Sequence, residues 1–107
     1  MSRVDHGPDC IACTDPAAAV RQIAEQRAEL DAWAKRSRDR RAEGERAERQ
    51  SRRLLAAGDR EGADREYARA HHELQAANAI ACDIRFGRAH LERVEAAHPG
   101  LARGAVS

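Results

Sequence analysis

Aromatic side chains are nearly absent from this 107-residue sequence, which holds only Trp33, Tyr67 and Phe86. Its apolar fraction of 42% is also less than it looks, because twenty-four of those residues are Ala. Alanine buries little area, so a chain this short cannot build a thick core. A partner, an oligomer or a metal is expected to supply part of the stability. Lysine is almost missing too, with one Lys against eighteen Arg. Arg and Ala codons are GC-rich, which points to bacterial or phage coding DNA of high GC content and carries no functional meaning of its own. The net charge of +1 excludes a global field drawing the protein to a polyanion or a membrane.

No apolar run reaches the length of a signal peptide or a membrane span, so a cytoplasmic protein without membrane association is expected. Three Cys is an odd number. In a reducing compartment a disulfide framework is not expected, and the thiols stay available for metal. A glycine-rich phosphate loop, a nucleophile beside a base and paired carboxylates in a concave setting are all missing. His71-His72-Glu73 would open an H-E-x-x-H zinc motif from His72, but Ala76 occupies the position of the second His. The chain therefore reads as a non-enzyme with no small-molecule substrate.

What the sequence does contain is helix. Leu54-Leu55-Ala56-Ala57-Gly58-Asp59 holds the one strong break between two long helix-forming runs. Gly past a helix end and Asp before a helix start form a stop-and-start pair. Asp15-Pro16 supplies the other start, with an acceptor at the N-cap and Pro at N1. Helices are predicted over 16–57 and 60–97, the second ending because His98 precedes Pro99.

Both runs carry a seam at three- and four-residue spacing. In the first it reads Ala19, Ile23, Gln26, Leu30, Trp33, Ser37, Arg40, Gly44, Ala47, Ser51, Leu54. In the second it reads Ala63, Tyr67, Ala70, Leu74, Ala77, Ile80 or Ala81, Ile84, Gly87, Leu91, Val94, His98. The fold class is all-α, a long antiparallel helical hairpin. Folding back at 58–59 sets large against small: Leu74 on Gly44, Leu30 on Gly87, Trp33 on Ile84, Tyr67 on Ser51, and Ile23 beside Val94. Gly44 is the predicted kink site, since mid-helix Gly costs about 1 kcal/mol against Ala. A sharp kink there would give a three-helix arrangement. The predicted organisation is a Cys/His metal-binding segment over 1–15, the hairpin over 16–98 and a flexible tail over 99–107. Leu55, Ile80 and Phe86 beside the thin seam favour pairing into a four-helix bundle.

The segment Ala57-Gly-Asp-Arg-Glu-Gly-Ala-Asp-Arg-Glu-Tyr-Ala-Arg-Ala70 resembles the junction inside a tetratricopeptide-type helical pair. The resemblance covers one turn and half a helix, with no second copy at the expected period. It implies a helix–turn–helix junction and nothing about peptide binding.

The sharpest chemical signal is His6-Gly-Pro-Asp-Cys10-Ile-Ala-Cys13. Two thiolates at C-x-x-C spacing supply half of a tetrahedral Zn²⁺ site, because one turn aims both sulfurs inward. The fold-back brings the end of the second helix near Cys13, and His98 is its nearest metal-binding residue. The predicted ligand set is Cys10, Cys13, His98 and His6, a closed structural zinc site. His90 is the reserve imidazole. Cys82 is the reserve thiol, reachable only if the first helix kinks. A thioredoxin-type redox pair would need strands around the motif, and an iron–sulfur cluster about four thiolates; the sequence offers neither.

Lys35–Arg53 holds nine basic and four acidic residues. Arg38, Arg46, Arg49, Arg52 and Arg53 fall mostly away from the seam and suit phosphate tracking. A solvated face held by Glu45–Arg49 and Glu48–Arg52 pairs explains the same composition. The sequence thus favours an interaction or adaptor protein that binds a protein partner or itself. The alternative is a nucleic-acid-associated regulator of a phage or mobile element.

Overall fold

The computed structural model describes residues 10–100. Helix α1 spans Ile11–Thr14, α2 spans Pro16–Ala56 and α3 spans Arg60–Ala97. The two long helices form the expected hairpin, and α2 continues as one helix through Gly44, so the three-helix arrangement is not formed. Pro99 and Gly100 are again helical. The remainder of the predicted tail, 101–107, lies outside the described residues.

Each helix boundary has a local cause. Asp15 Oδ1 accepts the Ala18 N–H at 3.1 Å, which caps α2. At the bend Gly58 takes φ +88°, the left-handed conformation that costs glycine nothing. Its N–H donates to Leu55 O at 3.1 Å, and the Asp59 N–H reaches back to Leu54 O at 2.8 Å. This bond pair is the Schellman stop, with Ala57 as the C-cap, and it ends α2 one residue before the predicted limit. Asp59 then serves the next helix: its Oδ1 accepts the Gly62 N–H at 2.9 Å.

The hairpin divides into two compact units, one of Met1–Asp31 with Ile84–Ser107, the other of Ala32–Asp83. In the first unit Ala19, Ile23 and Leu91 are buried, with Val20, Leu30 and Val94 packed against them. Ile23 and Val94 thus share a cluster as expected. A Cβ built on Gly87 would lie 2.7 Å from Leu30 Cδ2, so Leu30 does sit over that glycine. Arg27 pairs with Glu95, and Arg88 with Asp31 at 3.8 Å.

The second unit is built on small residues. Ser37 Oγ donates to Ala77 O at 3.0 Å, and Ser51 Oγ donates to Ala63 O at 2.8 Å. Midway between them Gly44 stands over Ala70 O, 3.2 Å from where its Cβ would be. Ser37, Gly44 and Ser51 recur every seven residues on α2, and Ala77, Ala70 and Ala63 do so on α3. Side chains this small let one backbone approach the other until a hydroxyl spans the gap, which satisfies the buried Ser37.

Several seam positions depart from expectation. Tyr67 is 66% exposed and does not cover Ser51, whose hydroxyl is taken by Ala63 instead. A close backbone approach leaves no room for an aromatic ring between the helices. Gln26 and Arg40 are exposed, and Arg40 turns to Glu73 at 3.5 Å. Trp33 is half-buried and Ile84 buried. Among the described residues, no helix is long and apolar enough to cross a membrane.

Candidate metal centre

Cys10 is the N-cap residue of α1, with φ −67° and ψ 109°. Its carbonyl accepts the Cys13 and Thr14 N–H groups, both at 3.1 Å, and the Thr14 hydroxyl at 3.1 Å. The Asp15 N–H closes the turn on Ile11 O at 2.8 Å. The C-x-x-C spacing therefore forms one helical turn, which carries Cys10 and Cys13 on the same side. Asp15 and Pro16 follow at once and fix the direction in which α2 leaves.

His98 comes from the other end of the fold-back. Its N–H bonds to Val94 O at 3.0 Å and Glu95 O at 3.2 Å, one residue past the end of α3. Pro99 prevents the helix from continuing and holds His98 at its rim. From there the imidazole Nε2 lies 3.8 Å from Cys10 Sγ.

One ligand atom each from Cys10, Cys13 and His98 lie within 4.8 Å of one another. They are close enough to hold a metal ion. Bonds of about 2.3 Å to sulfur and 2.0 Å to nitrogen put S and N roughly 3.5 Å apart across a tetrahedral ion. The Cys10–His98 distance is already within a few tenths of an ångström of that value. Cys10 and His98 are half-buried and Cys13 is exposed, so the cluster sits at the protein surface. The nearby Cys10 thiol, which hydrogen-bonds Cys13, pushes the Cys13 thiol above its ordinary value.

Three of the four predicted ligands are thus brought together, and His6 lies outside the described residues. The reserves are not recruited. His90 is exposed on α3, and Cys82 is exposed on α3 in the Ala32–Asp83 unit. Neither joins the cluster: His98 fills the imidazole role, and α2 is one helix rather than part of the three-helix arrangement that Cys82 required. His71 and His72 are both exposed. Sequence spacing did not reveal that the C-x-x-C turn is itself helical.

A groove of about 270 Å³ opens in the same unit, floored by Leu30 and Leu91. The Arg27–Glu95 and Arg88–Asp31 pairs line its walls, so these charges are already engaged with one another.

No known protein family, curated protein or solved structure matches this chain.

Proposed function

We propose that this protein is a zinc-stapled helical hairpin that works as a non-enzymatic interaction protein. The observation that carries the proposal is the convergence of Cys10, Cys13 and His98, from segments 88 residues apart, on one ion-sized space. Thiolate and imidazole donors together suit Zn²⁺ better than the harder divalent ions. His6, four residues before Cys10, is proposed as the fourth ligand.

A staple is also what this core requires. Among the described residues, five of the eight buried apolar residues are alanines, and no large side chain is fully buried. Structural zinc contributes about 10 kcal/mol or more of apparent binding energy, which would be large beside such a core. Leu55, Tyr67 and Phe86 stay exposed at 59%, 66% and 71%, which supports a protein partner or a second copy of this chain as the binding target.

Metal analysis of the purified protein tests the staple. One zinc per chain, lost in both Cys13→Ser and His98→Ala, is the expected result. A protein that neither retains zinc nor takes it up from a buffered solution overturns it. So does retention in His98→Ala with loss in Cys82→Ser. Light scattering of the zinc-loaded protein then separates a dimer from a monomer that requires a different partner.

A further inference from the structure

The outward side of α2 in the Ala32–Asp83 unit carries a column of exposed cations. Lys35, Arg38, Ala42, Arg46, Arg49 and Arg53 follow one another at three- and four-residue steps, so they share one face. All six are exposed. The face lies opposite the Ser37–Gly44–Ser51 row that meets α3. Asp39 and Glu45 fall on its flanks, and within the column no acidic residue interrupts the run. At 1.5 Å per residue it is about 27 Å long.

Ion pairing separates the column from the rest of the charge run. Arg40 is engaged by Glu73 and Arg41 by Asn78, both across the hairpin, and Arg52 by Glu48 at 3.9 Å. Arg52 therefore falls outside the useful set that spacing alone suggested. Within the column Lys35 pairs with Asp39 and Arg46 with Glu43. Arg38, Arg49 and Arg53 form no ion pair within the described residues, and the Glu45–Arg49 pair suggested by spacing does not form. The outward side of α3 in the same unit is different in sign. Glu61, Asp64, Arg65, Ala68, His72, Gln75 and Ala79 occupy it, with one Arg against two acidic residues.

We infer that this column is a binding surface for the phosphate backbone of duplex DNA. An acidic protein partner fits it less well. Its only apolar member is Ala42, so it lacks the desolvated apolar centre on which protein interfaces depend. Single strands fit less well too, because no aromatic side chain lies in the column to stack a base. One face of a single helix matches the B-form major groove, about 12 Å wide, whereas the narrow major groove of duplex RNA excludes it. Contacts from these cations to phosphates carry no sequence information, so duplex of arbitrary sequence should bind. The inference does not rest on the zinc staple.

Fluorescence anisotropy with a labelled 25-base-pair DNA of arbitrary sequence tests it on the full chain between 50 and 300 mM NaCl. Binding should weaken with salt at a log–log slope of about −2.7 to −4.5, as expected when the three unpaired arginines to all five cations of the column contact phosphates. The triple variant Arg38→Gln/Arg49→Gln/Arg53→Gln should lower the slope by about 2.7 and cost more than tenfold in affinity at 100 mM. Arg21→Gln/Arg85→Gln/Arg93→Gln removes the same charge from exposed positions elsewhere and should retain binding. Circular dichroism confirms that both variants stay helical. Absent or salt-insensitive binding overturns the inference, as does an equal loss in both triples. Competition by poly-glutamate as effective as by unlabelled duplex also overturns it, in favour of an acidic protein.

Discussion

Leu74 occupies the space that a side chain on Gly44 would need: a Cβ there would lie 2.8 Å from Leu74 Cγ and 3.2 Å from Ala70 O. The glycine marks a close approach of two helices in the middle of a continuous helix. Gly44→Ala gains about 1 kcal/mol of helix propensity, but it must displace the root of a leucine and press on a backbone carbonyl. A net loss of about 1–2 kcal/mol is expected in urea denaturation. Gly87→Ala meets only the branch end of Leu30, which can turn aside, and should be close to neutral. If the two substitutions cost the same, the close approach at Gly44 is not what constrains that position.

Ser37→Ala removes the hydroxyl that bridges to Ala77 O, leaving that carbonyl its bond within α3 alone. A loss of about 1 kcal/mol is expected. Ser37→Val should cost more, because it also adds a methyl group where the helices are closest. A stabilised Ser37→Val protein, measured in the same way, would contradict the close packing of this row.

Gly58 separates conformational strain from crowding. Nothing lies within 4 Å of a Cβ built on it, yet its φ of +88° is one that L residues rarely adopt. Gly58→Ala should therefore destabilise by about 1–2 kcal/mol without any clash. Gly58→Asn should cost less, since Asn tolerates the left-handed region better. Thermal melts ranking Gly, Asn and Ala in that order would bear this out.

Zinc removal should lower the melting temperature of the wild-type protein and leave that of Cys13→Ser unchanged. Both thiols must give up protons before they ligate. The Cys13 thiol is held above its ordinary value beside Cys10, so it is protonated in neutral solution without metal. Zinc affinity should accordingly rise with pH between about 6 and 8, with proton release on binding. Calorimetry in two buffers of different ionisation enthalpy measures this directly. A pH-independent affinity would exclude the thiols as ligands.

Much of the hairpin was legible before any coordinates. The Asp15-Pro16 start, the Gly58-Asp59 bend and the His98-Pro99 stop are local signals, each needing only a few neighbouring residues. The facing of Leu74 with Gly44 and of Leu30 with Gly87 followed from one bend and regular spacing. Cys10, Cys13 and His98 met for the same reason.

Spacing could not decide how near the helices come. That depends on the Ser37–Ala77, Gly44–Ala70 and Ser51–Ala63 contacts acting together. Close approach leaves Tyr67 outside the seam and converts two serines into crossing hydrogen bonds. Which arginines stay available was also undecidable from the chain. Arg40 and Arg41 are spent on Glu73 and Asn78, residues more than thirty positions away. Sequence set the helices, their ends and their order, because these depend on short-range backbone preferences. Only the tertiary structure settled which side chains were enclosed, paired or left to solvent, because that is fixed by the separation of two surfaces distant along the chain.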